Sequence, residues 1–576
     1  MSHYELKPKF EQKGKKIIAQ NYKDILTKLS NDLIVKIETY VGINPTLIKN
    51  ELIKAGYDGE IVMTEDFVKL NSEEFRNVIF PNLTNDRVFG KLSTDDNFEN
   101  YYDIKKIEMF MENIDKNKQY IFIGICSYLF GENGSIVYAD IPRWELQLKY
   151  RNKEKVFFLN SIEEDKLKNF KRGYFIEWRW ADRIKQNIWN KINYFLDTTS
   201  SDYPKLAFGS DIRKSVEEIS QNPFRAVPYF DAGVWGGKWM EEKMKLGKNE
   251  FNRWAWAFDG VPEENSIMFM YDNDFIELPA IDIVLFQPLN LLGNKVFDLF
   301  GAEFPIRFDF LDTIEGQNLS LQVHPTDEYI KEYFNMPYSQ NESYYMLDVN
   351  PKEDPITFLG FKDSIKKDDF INALSLAQKT GEINIEDYVN KIHVKKHDHL
   401  LHPSGVIHSS ASGCMVLEIS STPYIFTFKL WDWGRLGLDG KPRPINIEHG
   451  ANVLNFDYKT NKVMNELVNA FEIINDNDEY TEIHTGLHRT EQFIETRRFT
   501  IKTNKGVKIN CNGSVNQLNL VEGEQAIIES ENGKFKPLIV NYVETFIVPE
   551  SCKSYIVKPH GPSLNKEIMV LQAYVR

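Results

Sequence analysis

The run Leu319-Ser320-Leu321-Gln322-Val323-His324-Pro325 sets an amide and an imidazole two positions apart in an apolar, β-prone stretch. Side chains alternate faces along a strand, so Gln322 and His324 are expected to project from one side. A carbonyl oxygen and an imidazole on one face are half of a divalent-metal site. Glu342 precedes the strand-like Ser343-Tyr344-Tyr345-Met346-Leu347, and His408 closes His402-Pro403-Ser404-Gly405-Val406-Ile407-His408. From neighbouring strands these two can supply the other half. Two nitrogens and two oxygens with room left for a substrate make a catalytic pattern and not a closed structural one. Zn2+ is the expected metal, one per chain; Fe2+, Mn2+ and Co2+ accept the same donors.

Each of the four also has an ordinary reading. Gln322 is a polar residue on a strand face, His324 the end of a strand, Glu342 a solvated strand entrance and His408 a core histidine capping a turn. Their joint pattern favours the metal. A rival cluster lies upstream, with His393, His397, His399 and His402 in the run KIHVKKHDHLLH. The Pro-x-Gly turn gives His408 a defined placement. The upstream group, beside Lys395 and Lys396, reads as an exposed strand or loop.

These residues need elements to hold them. A chain of 576 residues exceeds one ordinary core, so two to four domains are expected. Hydrophobic content of 42% and aromatic content of 13% suffice for packed domains and argue against extensive disorder. A formal net charge of -15 argues against general nucleic-acid binding but leaves room for a local basic pocket. Cys126, Cys414, Cys511 and Cys552 lack CxxC spacing, so neither a disulfide framework nor a cysteine zinc site is expected. The polar start MSHYELKPKFEQKGKK and the lack of any run of about 18 apolar residues predict a cytoplasmic protein without membrane spans.

The fold class expected is mixed. Residues 1–220 alternate helical and strand-like segments: helices over 22–41, 72–79 and 178–189, and short buried strands over 119–125, 135–141 and 194–197. That predicts an α/β domain with a largely parallel sheet. The Walker pattern GxxxxGK[ST] is absent, and Gly131-Glu132-Asn133-Gly134-Ser135 lacks the lysine that would reach phosphates. Past Asn222, short strands with recurrent turn signals predict two β-sandwich or jelly-roll modules, over 221–445 and 446–576. The first should carry the metal and a helical insertion at about 363–390, with its helix over 366–379.

At these residues the sequence resembles the type I phosphomannose isomerases of the cupin superfamily. Val234-Trp235-Gly236-Gly237 resembles the opening Trp-Gly-Gly segment. Phe304-Pro305-Ile306 and Phe310-Leu311-Asp312 resemble the strand pair before the site. LSLQVHPTDEYI (residues 319–330) and Pro403 to His408 resemble the two most specific signatures. Val416-Leu417-Glu418-Ile419, Trp431-Asp432-Trp433-Gly434-Arg435 and Gly440-Lys441-Pro442-Arg443 follow in order. The resemblance spans about 223–576 and implies that Gln322, His324, Glu342 and His408 hold the metal. It implies a metal-dependent interconversion of mannose 6-phosphate and fructose 6-phosphate, or of a related sugar phosphate. A proton would move between C1 and C2 through a cis-enediol, and the metal would polarise the carbonyl.

Departures accompany it. The lysine usual two places before the glutamate ligand is Gln340, the catalytic arginine is Lys429, and an acidic residue four before that is Ile425. Lysine keeps the charge but loses the bidentate fork. Lys429 shares a strand face with Ile425, Thr427 and Trp431; it either enters the pocket as an electrostatic stabiliser or snorkels to solvent. Arg435 is the reserve cation, or else an ordinary ion-pair partner. The base is a metal-bound water or a carboxylate near Asp327 and Glu328. Two other classes stay open: a non-catalytic metal-cupin sugar or sugar-phosphate sensor, and a cupin enzyme acting on an unphosphorylated substrate. The implied partner is a small sugar phosphate, with no nucleic acid and no membrane; the number of subunits is not legible.

Overall fold

The β-branched run Ile34-Val35-Lys36-Ile37-Glu38-Thr39 forms a strand between two parallel neighbours, Tyr120–Gly124 and Ser135–Asp140. The computed structural model describes residues 4–152, 154, 158–160, 165–200, 202–272, 274–423, 425–486 and 492–576. In the N-terminal sheet the strands lie in the order Glu60–Met63, Tyr120–Gly124, Ile34–Thr39, Ser135–Asp140, Tyr194–Asp197, Lys205–Phe208. All neighbours are parallel except the last pair. The helix expected over 22–41 ends early. It covers only Tyr22–Leu29, and after a turn at Ser30–Asp32 the chain becomes the strand Ile34–Thr39. Burial of Val35 and Ile37 within the sheet overrides the helical spacing. The helices at Ser72–Leu83 and Trp178–Ile188 match their expected positions closely.

The chain divides into two compact units. One comprises Lys9–Ile219 together with Glu263–Phe286; the other comprises the stretch ending at Pro8, Ser220–Pro262 and Gln287–Arg576. The first unit thus takes in a segment from far downstream. Ser266–Tyr271 pairs in parallel with Lys9–Gln12 and antiparallel with Asp274–Pro279. Buried charges tie this segment in. Arg143 bonds Asp182 and Glu263, and Lys185 bonds Asp140 and Asp282, each side chain nearly or wholly buried. Tyr40 adds a hydrogen bond of 2.9 Å to Asp182.

In the second unit, two sheets face each other around the candidate site. The six-stranded sheet runs His399–His402, Glu342–Val349, Cys414–Ser421, Ile306–Asp312, Trp256–Phe258, Tyr229–Asp231. The five-stranded sheet runs Val389–His393, Ile356–Phe361, His408–Ser410, Leu321–Val323, Phe428–Trp431. The helix Lys367–Thr380 is inserted between the adjacent strands Ile356–Phe361 and Val389–His393. Asp312 fixes the Trp-Gly-Gly segment by accepting from the backbone N–H of Met240 at 2.9 Å. A Cβ on Gly237 would stand 2.3 Å from the Asp312 carboxylate, which is why only glycine fits there. That segment therefore serves packing and lies outside the cluster of expected metal ligands.

Past residue 470, six-stranded and four-stranded sheets share a core that includes Phe499, Leu518, Leu520, Ile528, Val557 and Val570. The strands Asn516–Glu522, Gln525–Glu529, Leu538–Asn541 and Ser554–Pro559 belong to these sheets. All four cysteines are buried and free. Among the described residues no helix is long and apolar enough to cross a membrane.

Candidate metal centre

Register brings the expected residues together. Gln322 in the short strand Leu321–Val323 stands opposite His408 on one side and Lys429 on the other. Residues directly opposite in an antiparallel pair share a face, so all three point the same way. Across the interior, Glu342 opens the strand Glu342–Val349, opposite His402 and Ser420. His324 lies just beyond its strand. The turn Pro403–Ile407 is anchored to it: the Gly405 N–H donates to the His324 carbonyl at 2.9 Å. Gly405 has φ +84°, and a Cβ there would meet the Val453 carbonyl at 2.9 Å. Glycine is thus required for the turn that delivers His408.

One ligand atom each from His324, Glu342 and His408 lies within 4.8 Å of the other two, and all three residues are buried. Nε2 of His324 is 3.0 Å from one Glu342 oxygen, and Nε2 of His408 is 2.8 Å from the other. The remaining ring nitrogens are committed to backbone. Nδ1–H of His324 donates to the Phe426 carbonyl at 3.2 Å, and that of His408 to the Val406 carbonyl at 2.9 Å. This tautomer turns both Nε2 lone pairs toward a carboxylate, acceptor facing acceptor. A cation among them resolves the conflict, and His324 Nε2 and Glu342 Oε1 have no hydrogen-bond partner of their own. The Gln322 amide lies 3.2 Å from His408 Nε2. Exchanging its two ends, which fill the same volume, would bring its oxygen to that point. The residues present therefore fit a divalent metal held by two imidazoles, a carboxylate and an amide oxygen.

Two carboxyls near the site are pushed in opposite directions. Burial alone would raise Glu342, but positive charge at His324 and His408 outweighs it and holds the group well below the usual range. Burial, then the neighbouring charges of Asp309 and Glu342, push Glu418 well above that range. Gln340 joins the two, its Nε2 3.0 Å from Glu342 and 3.3 Å from Glu418. Gln340 thus sets a neutral amide where a lysine was expected from the resemblance.

The two expected cations differ. The Lys429 ammonium forms no hydrogen bond or ion pair among the described residues, and burial, then the charge of Arg443, lowers it to about 8. Arg435 is engaged, donating to Asp432 at 2.6 Å and to the Asn318 carbonyl at 2.7 Å. Arg443 grips both oxygens of Asp432 at 3.0 Å. Asp327 caps a neighbouring turn, accepting from the Ser339 N–H at 2.7 Å, and Glu328 lies in the first turn of the same helix, Asp327–Phe334.

The upstream histidines do not converge. His393 pairs with Asp354 at 3.2 Å, His397 bonds Tyr345 at 2.9 Å and His399 bonds Ser343 at 2.8 Å. The expectation of an exposed stretch fails for His399 and His402, which are fully buried. Strand pairing with Glu342–Val349 draws them in. Glu418 and His402 were not singled out as site residues. One available signal was a lone carboxylate inside the apolar strand Cys414–Ser421. The other was a histidine directly before the Pro-x-Gly turn.

A family described as a domain of unknown function (DUF8485) matches residues 21–221. Mannose-6-phosphate isomerase ManA of Bacillus subtilis is 24% identical over 236 residues, 41% of this chain and 69% of that protein. GmuF of the same species, named a probable mannose-6-phosphate isomerase, is 29% identical over 154 residues, 27% of this chain and 45% of its own length. The solved mannose 6-phosphate isomerase of Bacillus subtilis aligns with a TM-score of 0.49 at 17% identity, over 62% of this chain and all of that one. On its motifs and its curated relatives, the chain outside its N-terminal stretch is similar to the type I phosphomannose isomerases.

Proposed function

We propose that the protein is a metal-dependent aldose–ketose isomerase acting on mannose 6-phosphate and fructose 6-phosphate, or on a related sugar phosphate. The observation that carries this reading is the acceptor-lined cluster of His324, Glu342 and His408, completed by Gln322. These four would hold the ion, with Zn2+ as the default. When bound, the metal polarises the sugar carbonyl and stabilises the enediolate.

The chain's own groups do the rest. Glu418, its carboxyl pushed upward by burial and one amide away from Glu342, is suited to exchange a proton with the substrate. Lys429, opposite Gln322 and unpaired, offers its ammonium to the developing negative charge or to the phosphate. Arg435 stays a candidate behind it, at present holding Asp432 and the loop at Asn318. In this reading both β-sandwiches are cupin-type jelly rolls, the expected 221–445 module carrying the chemistry without its segment 263–286, which joins the α/β unit, and 446–576 forming the second module.

The test is a coupled assay of mannose 6-phosphate isomerisation with and without chelator. Turnover abolished by the chelator and restored by Zn2+ or Co2+ is expected; turnover that survives complete metal removal eliminates the mechanism. One observation favours a second reading, the neutral Gln340 between two carboxyls. A protein that is stabilised by sugar phosphates but never turns them over would be a sensor.

A further inference from the structure

His402 is the one histidine of the upstream group that faces the candidate metal centre. It stands directly opposite Glu342 in the strand pair, so the two side chains share a face. Its Nδ1 is 3.7 Å from Glu342 Oε1. Its ring lies parallel to that of His408, with centroids 4.4 Å apart and planes 4° from coincidence. The ring of Tyr344 meets it edge-on, with centroids 4.2 Å apart. The side chain is wholly buried, and neither ring nitrogen has a hydrogen-bond partner. A leucine would fill this space without two unpaired polar atoms, so packing does not account for an imidazole here.

The neighbours supply a reason. Glu342 receives Gln340 Nε2 on Oε2 at 3.0 Å, while His408 Nε2 and His402 Nδ1 stand 2.8 and 3.7 Å from Oε1. With His408 Nε2 turned to a metal, His402 Nδ1–H would stand beside Glu342 Oε1 as a donor. Ligand carboxylates and imidazoles depend on such outer contacts for their orientation.

We propose that His402 is a positioning residue of the metal site, its Nδ1–H steadying Glu342 and its face fixing the plane of the His408 ring. This rests on the metal reading above. The test uses the full chain, unaltered and as His402→Leu and His402→Gln. Co2+ affinity is measured by chelator competition, the Co2+ absorption band is recorded, and the melting temperature of each metal-free protein is taken. His402→Leu is expected to weaken Co2+ binding by about 10–100-fold and to shift the band. His402→Gln, which restores an N–H donor, is expected to recover much of the affinity. The metal-free leucine variant should melt no lower than the unaltered protein. Should leucine prevent folding, His402→Phe keeps a stacking ring without a donor and is expected to show the same weakening. Unchanged affinity and an unchanged band in the donor-less variant overturn the proposal, even if its metal-free form melts lower. Failure of the unaltered protein to bind Co2+ would instead overturn the metal reading itself.

Discussion

At the scale of single residues, the site's chemistry lies in opposed shifts. Glu342 is pulled below and Glu418 pushed above the usual carboxylate range, with one amide joining them. His324→Ala removes one of two imidazoles, and metal content by atomic emission is expected to fall from about one ion per chain to near zero. Lys429 carries a pH dependence. Burial and Arg443 bring its ammonium to about 8, so it is charged below that pH and neutral above. Activity that needs the charge is expected to fade as pH rises through about 8. Lys429→Arg should remove that limb of the pH–rate profile, while Lys429→Met should lower kcat/KM by about 10²–10³. Stability runs the other way. Free lysine titrates at about 10.4, so between 8 and that value the unfolded chain holds more protons and stability rises with pH. Gln322, His324, Glu342 and His408 were legible because each sits in a short patterned run. His402 and Glu418 were not, because register across two strand pairs makes them neighbours of Glu342.

At the scale of elements, backbone shape sets the site as much as side chains do. Gly405 holds φ +84° in the turn between His402 and His408 and bonds the His324 carbonyl. Gly405→Val is expected to cost about 1–3 kcal/mol through strain and crowding, read as a lower melting temperature together with weaker metal binding. Asp312 offers a second test. Burial pushes its carboxyl up to about 8, whereas an unfolded aspartate titrates at about 3.9. Across that window the native state holds the extra proton, so this group's contribution is greatest at low pH and declines as pH approaches 8. Asp312→Asn is expected to flatten that decline in a series of melting temperatures. The strand-rich character of the second unit was legible from its turn signals, and the inserted helix lies within a residue of its expected span. The stretch 22–41 was misread because Ile34 to Thr39 is helix-compatible in spacing, and only its seat between two parallel strands makes it a strand.

At the scale of the whole molecule, two units with separate cores should unfold as separable events. Calorimetry is expected to resolve two transitions, of which a chelator shifts only one. A metal binding the folded site alone stabilises it by about 2.7 kcal/mol at a hundredfold excess over Kd. Arg143 belongs to the other transition. Arg143→Ala would strand Asp182 and Glu263 in a buried setting and is expected to destabilise that unit by about 3–5 kcal/mol without changing metal content. Neither the buried charges nor the recruitment of Glu263–Phe286 was legible, since acidic residues in a downstream segment carry no mark of a partner 97 or 120 positions earlier.

That recruited segment bears on how the polypeptide can be cut. The backbone passes from one unit to the other at Pro8, Ile219, Pro262 and Phe286. A single protease nick near residue 220 would leave both fragments laced together, because the downstream piece still contributes two strands and two acidic anchors to its neighbour's fold. The nicked halves should therefore co-migrate on a sizing column under native conditions and part only in denaturant, and a shortened gene beginning at 221 would yield a protein with an orphaned ribbon.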